Sequence, residues 1–317
     1  MNRTTWLAGW MIAGLLATAA PALAEDAVET VGPGTVNWSS GIVTAVGIGA
    51  PPPNAVNPAQ ARAMAEPAAY ATAVRNLLEA VKGIRVDSAT LVENMIVTND
   101  VVKTRVSGLV KGARPLKTDR MPDGSVEVTV GLSLNGDLFD AVVLKGFKPG
   151  PPVPRAESRP VPPPGPLPKA EPPAPQPAPK AEAPLPPPPA PVPAESKPQP
   201  APAGETYTGL VVDARGLGLK PALAPRLLDE QGKELYAGDV LTRDQAVQAG
   251  VAGYAKDLIA GSRQARVTDK PLIVKGLKAS GNKSTDIVLG ADGVKAVQQS
   301  EPASQFLKQA RVVVIYD

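Results

Sequence analysis

The chain of 317 residues contains neither cysteine nor histidine. That double absence excludes a disulfide framework, a thiolate nucleophile and a Cys/His zinc site. It also excludes lipid attachment to a cysteine behind a leader. Cysteine-free chains do occur in the periplasm, so the absence does not argue against export. Aromatic residues make up only 3% of the chain, so any core must be built from Val, Leu, Ile and Ala. Charge is nearly balanced at +3, one unit less without Arg3, and no dense basic block occurs. Nucleic-acid binding asks for a clustered basic stripe, so no nucleic-acid partner is expected. After the N-terminal segment, no run approaches the ~20 apolar residues of a membrane span.

What the chain does have begins with a leader. Residues 1–24 combine a positive start at Arg3, an uncharged apolar run over 6–20, and the small-x-small site Ala22-Leu23-Ala24. Pro21 precedes that site and Glu25-Asp26 follow it. This pattern predicts a secretory signal peptide cleaved after Ala24. The competing reading is an uncleaved anchor, for which the apolar run is short. An exported envelope protein of a Gram-negative bacterium is the expectation, in the periplasm and with outer-membrane association as a finer reading.

Most of the 38 prolines fall between Pro149 and Pro202. A Pro/Ala segment with a few Lys and Glu cannot fill a core, and each Pro removes a backbone donor. The predicted organisation is therefore a signal peptide (1–24), a first domain (25–148), a disordered Pro/Ala-rich linker (149–204) and a C-terminal α/β domain (205–317). Each domain is large enough to bury its own core. Polyproline II would give the linker a fully extended reach on the order of 170 Å. It reads as a hydrated tether, as a long-reach spacer resembling those of TonB-type proteins, or as a polyproline ligand for an aromatic groove. Lys169, Lys180 and Lys197 read as solubilising charge.

In the first domain, residues 35–49 alternate as a strand, with Val36, Trp38, Ile42, Thr44, Val46 and Ile48 on one face and Gly41 at a bend or bulge. Asn57 and Pro58 open a helix over 57–82. Ala61, Met64, Ala65, Ala68, Tyr70, Val74, Leu77, Leu78 and Val81 supply its apolar spacing. Pro67 should kink it and Gly83 should end it. Residues 88–97 read as a short helix or a loop, and 100–110 as a second helix. A strand over 110–118, a turn at 121–124 and a strand over 125–134 form an antiparallel hairpin. Residues 137–143 add a terminal helical turn.

These residues carry a resemblance. The Ala-rich helix with LLEAVKGIRV (61–86), the segment 108–113 and DGSVEVTVGLSL (123–134) together resemble the lipoprotein-20 family and the N-terminal domain of flagellar assembly protein T. The likeness spans about residues 36–134. It implies a small α+β domain in an outer-membrane or flagellum-associated protein, with no catalytic motif to carry over. The family commonly bears a lipidated Cys, which this chain lacks, so membrane association is expected to be peripheral at most.

In the second domain a strand over 207–213 leads into Gly216-Leu217-Gly218-Leu219. The run lacks the third glycine of a dinucleotide loop and any GK[ST], so it reads as a glycine-supported turn and no nucleotide is expected. A hairpin around Gln231-Gly232, a helix from Thr242 or Asp244 to about Ile259, and strands over 271–279 and 285–289 follow. A helix over 291–299 should break before Pro302. Another helix over 304–309 precedes a buried strand at 311–316. The segment 213–236 resembles a region of uncharacterised exported bacterial proteins, some paired with a lipoprotein-20-like domain. The overall fold class expected is α+β, two small domains with antiparallel or mixed sheets and packed helices.

Chemistry needs polar groups that converge. Asp213/Arg215 and Asp229/Glu230 are the nearest candidates, with salt bridges and turns as the plainer reading. Asp286, Asp292 and Asn282 could offer oxygen to Ca²⁺ but lack the dense spacing of a calcium loop, and Asp292 reads better as a helix cap. Trp38 reads as core rather than as a sugar platform. The expectation is a non-enzymatic structural or interaction protein of the cell envelope, without catalytic residues, metal or cofactor. Its expected partners are envelope proteins or the cell wall. The alternative is a peptidoglycan- or glycan-binding module. Nothing in the pattern specifies an oligomeric state.

Overall fold

The computed structural model describes residues 26–143, 147 and 206–317. The leader (1–24) and the whole Pro-rich linker (149–204) lie outside the described residues. The architecture is α+β, with helices on an antiparallel sheet in one region and a mixed sheet in the other.

The first region runs β1 (Val28–Val31), β2 (Gly34–Asn37), β3 (Ile42–Gly49), α1 (Pro58–Lys82), α2 (Val92–Thr98), α3 (Asp100–Lys111), β4 (Arg114–Arg120), β5 (Val126–Ser133) and α4 (Asp137–Val142). Its five strands lie in the order β1-β2-β3-β5-β4, every pair antiparallel. Helix α1 starts as expected. The Asn57 side chain accepts from the Gln60 N–H at 2.8 Å and Pro58 takes the first position, where its missing donor costs nothing. Asn99 caps α3, accepting from the Val101 and Val102 N–H groups.

The buried face of the leading strands differs from the expected one. Residues 35–49 are two strands joined at a turn where Gly41 adopts φ +67°, and the turn reverses the pairing parity. Val36 stands opposite Val43, so the buried set is Val36, Trp38, Val43 and Ala45. Ile42, Val46 and Ile48 face outward. The cause lies across the core. Helix α1 presents the stripe Ala65, Ala69, Ala73, Leu77 and Ala80, and Met64 is left exposed. A Cβ on Gly47 would sit 2.1 Å from the Ala73 nitrogen, and one on Gly49 would sit 2.0 Å from the Ala65 oxygen. The helix backbone rests directly on glycine, and only the small-residue face of β3 can accept it. Strand β4 begins four residues later than expected because α3 runs on to Lys111.

The second region runs β6 (Gly209–Asp213), β7 (Leu227–Leu228), β8 (Glu234–Tyr236), α5 (Arg243–Ala249), β9 (Gly253–Ala255), α6 (Leu258–Ser262), β10 (Pro271–Ser280), β11 (Asp286–Leu289), α7 (Ala291–Ser304) and β12 (Val312–Ile315). The sheet order is β8-β7-β11-β10-β6-β12-β9. Strands β10, β6, β12 and β9 are mutually parallel. Strand β12 is buried along its whole length, which explains the unbroken apolar run VVVI.

Two helical expectations are corrected here. The helix over 242–259 is three elements. Thr242 and Gln245 form a capping box for α5. Gly250 at φ +72° then ends it, and Tyr254 enters β9 beside Val314. Helix α7 does not break before Pro302 but passes through it to Ser304. Pro302 sits in the last turn, where one forgone hydrogen bond is tolerable, and the helix closes at left-handed Gln305. No helix follows over 304–309. Glu301 instead accepts from the Leu307 N–H at 3.0 Å, and the Arg311 N–H returns to the Phe306 carbonyl at 2.9 Å. That turn drops the Phe306 ring into the core.

The two regions are docked against each other. The N–H groups of Leu223 and Ala224 donate to the Arg85 and Val86 carbonyls at 3.0 and 2.8 Å, and the Lys283 N–H donates to Ser88 at 3.1 Å. Gly136 donates to Val247 at 2.8 Å. Trp38 meets Tyr254 edge-to-face with ring centroids 5.6 Å apart, and Tyr254 meets Tyr316 in the same manner at 5.9 Å. Buried apolar residues of both regions form one continuous cluster. Among the described residues, no helix is long and apolar enough to cross a membrane.

Candidate functional site

The residues singled out from the sequence do not converge. Asp213 and Arg215 form a two-pronged pair at the end of β6, with Nε to Oδ1 at 2.9 Å and Nη2 to Oδ2 at 2.8 Å. Hydrogen bonding from Arg215 holds the Asp213 carboxyl below its usual range. Asp229 shapes the β7–β8 turn, accepting from Gln231 and Lys233. Glu230 accepts from the Ala291 N–H at 2.9 Å, at the start of α7. Asp292 lies in the first turn of that helix, with Gly290 at the cap position. Gly216 and Gly218 both take positive φ, the glycine-supported turn that the sequence suggested. Trp38 is buried at the seam, its Nε1 donating to Glu29 at 3.0 Å. Among the described residues, no group of three or more acidic side chains is placed to hold a metal.

What the fold brings together instead lies along the seam. Arg226 binds Asp286, which is 1% exposed, through Nε and Nη2. The same Nη2 donates to Ser88 Oγ of the first region at 3.0 Å. Hydrogen bonding to Asp286 raises the Arg226 guanidinium above its ordinary value, so the group is cationic at every working pH. Gly281, at φ +83°, lies so close to Ser88 that a Cβ would approach the Ser88 Cβ to 2.3 Å. Beside this latch opens a cleft of about 580 Å³ whose lining includes Asp87, Thr90, Asn99, Phe147, Arg226 and Glu234. Two further pairs cross or brace the seam. Arg243 reaches Asp140, with Nε to Oδ1 at 2.8 Å. Arg85 binds Glu29 and donates from Nε to the Pro221 carbonyl at 2.7 Å.

Tyrosines fill the interior of the seam. Tyr254 Oη donates to the Ala222 carbonyl at 2.8 Å and accepts from the Ala222 N–H at 3.0 Å. Burial pushes its phenol well above the usual range, and that of Tyr316 up to about 12. Neither ring is a proton donor or acceptor for chemistry near neutral pH. The Arg85, Arg226 and Arg243 guanidiniums each pair with a carboxylate and each also reach across the seam.

Residues 209–317 match the family model of the second domain of Treponema pallidum Tp0624. The matched span begins at the first residue of β6 and takes in the whole seven-stranded sheet. It covers about a third of the chain, and so marks what this region is similar to. No curated protein matches the chain.

Sequence reasoning missed Ser88, Arg226 and the seam contacts of Asp140. The one signal available was the pairing of Arg226 with an acid inside an apolar strand, Asp286 preceding IVL. A charge in such a strand must be partnered.

Proposed function

We propose that this is a non-catalytic interaction protein of the bacterial cell envelope, exported through its leader and acting in the periplasm. The carrying observation is the docked seam, where Ser39, Arg85, Ser88 and Asp140 of the first region bind Tyr254, Pro221, Arg226 and Arg243 of the second. Polar groups of this kind are engaged in joining surfaces and leave no nucleophile with an activating base. The likeness of residues 36–134 to the lipoprotein-20 family supports the same reading, with outer-membrane or flagellar association as its finer form. Fractionation of cells carrying the tagged protein, with mass spectrometry of its N-terminus, tests this. A start at Glu25 in the periplasmic fraction is the expected result, and an intact Met1 in the inner membrane overturns it.

A second reading, a peptidoglycan- or glycan-binding module, draws support from the cleft beside Arg226. Its size suits a sugar, and its lining includes the polar residues Asp87, Asn99 and Glu234 and the aromatic Phe147. Co-sedimentation with isolated cell wall separates the two readings. Loss of sedimentation in Glu234→Ala would favour the module, and no sedimentation by the parent protein removes it.

A further inference from the structure

A second cavity lies elsewhere on the seam, under the β2–β3 turn. It measures about 90 Å³, and its lining includes Ser40 and Asn135 of the first region and Gly253, Gln264 and Arg266 of the second. No carboxylate lines it. Arg266 is partly buried here without an acidic partner. Its Nη1 donates to the Gly250 and Ala310 carbonyls at 3.1 and 2.9 Å, and Nη2 donates to the Ala249 carbonyl. These neutral acceptors leave the cation's full charge in place, and burial alone lowers its pKa. Every other guanidinium described above on the seam has a carboxylate.

Two lining residues, Arg266 and Asn135, carry donors without a partner among the described residues. Arg266 Nε has no acceptor among the described residues, and it lies 3.4 Å from the position a Gly253 Cβ would take. Gln264 Oε1 lies nearer still, 2.6 Å from that position, so glycine there leaves room for both side chains. The Asn135 amide has no hydrogen-bond partner among the described residues. It is held between Gly41 and Gly250, within 3.5 and 2.6 Å of their would-be Cβ positions. A partly buried cation without a counter-charge and an amide without a partner, around a cavity larger than a single water needs, make a receptor for negative charge.

We propose that this cavity binds a small oxyanion, the phosphate or carboxylate group of a ligand, between Arg266 of the second region and Asn135 of the first. Such a ligand contacts both regions, so it binds the docked form and stabilises it by mass action.

The test is thermal unfolding and calorimetry of the full chain, titrated with inorganic phosphate, acetate or chloride at constant ionic strength. A saturable rise in the midpoint with phosphate or acetate, absent with chloride, is expected, and whichever oxyanion acts shows which source the site takes. Asn135→Asp places a carboxylate in the cavity and should weaken oxyanion binding at least tenfold while the protein stays folded. Arg266→Gln should abolish it, and if that variant does not fold, Asn135→Asp carries the test alone. No saturable response in the parent protein, or an unchanged response in Asn135→Asp, overturns the proposal.

Discussion

The two regions solve the covering of a sheet in opposite ways. In the first, α1 lies on one face so closely that Gly47 and Gly49 touch helix backbone, and the other face stays open. Ile48 and Leu116 are each 60% exposed there. In the second, β6, β11 and β12 are buried nearly throughout, with bulky side chains packed on both faces. The first region thus gains its packing from the absence of side chains and the second from their volume. Substitutions should therefore fail in opposite directions, by overfilling in one and by cavity formation in the other.

The largest effect is expected from emptying the second region. Phe306 is fully buried, and Phe306→Ala should cost about 4 kcal/mol in denaturant unfolding. In the first region the opposite change is the damaging one. Gly47→Ala should cost about 3 kcal/mol, because its new methyl group meets main chain of α1. Ala73→Gly, by contrast, should be mild. If Gly47→Ala proved neutral, the glycine-on-helix account of the first region would be wrong.

At the seam, Arg226→Ala leaves Asp286 buried and unpaired. Arg226 itself is 41% exposed at its side chain, which discounts the loss to about 2 kcal/mol. Hydrogen-exchange protection should fall on both sides, at 85–88 and at 223–226. A loss confined to the second region would show that Ser88 takes no part in docking.

The smallest effect concerns pH. Asp213 has its pKa lowered by Arg215, so its stabilising contribution is present above the unfolded carboxyl value and is lost as pH falls through the folded one. Asp213→Asn should remove about 0.5 kcal/mol at neutral pH and flatten the unfolding curve below about pH 4. Equal pH dependence in the variant and the parent would contradict the pairing.

Much of the fold is legible in the residues, and the failures share a cause. Asn57-Pro58, Asn99 and Gly124 mark their caps and turns by local chemistry, and Val126, Val128 and Val130 alternate into the core as expected. The face of β3 misled because its larger side chains point outward, and only the distant alanine stripe of α1 decides the matter. Tyr254 carries helical spacing from Val247 and Val251, yet it pairs as a strand because β12 offers an edge. The seam was the least legible feature, since Leu223, Ala224 and Val86 join through backbone groups that leave no mark on side-chain type. Arg266 was passed over for the opposite reason, as a charge with no acid nearby to call attention to it.

Docking of the two regions into one body is the claim on which the rest depends. Residual dipolar couplings and ¹⁵N relaxation of the full chain test it directly. One alignment tensor and one tumbling time should fit the amides of residues 26–143 and 206–317 together. Two tensors with separate tumbling times would mean that the regions move independently, and the seam and its cavity would go with them.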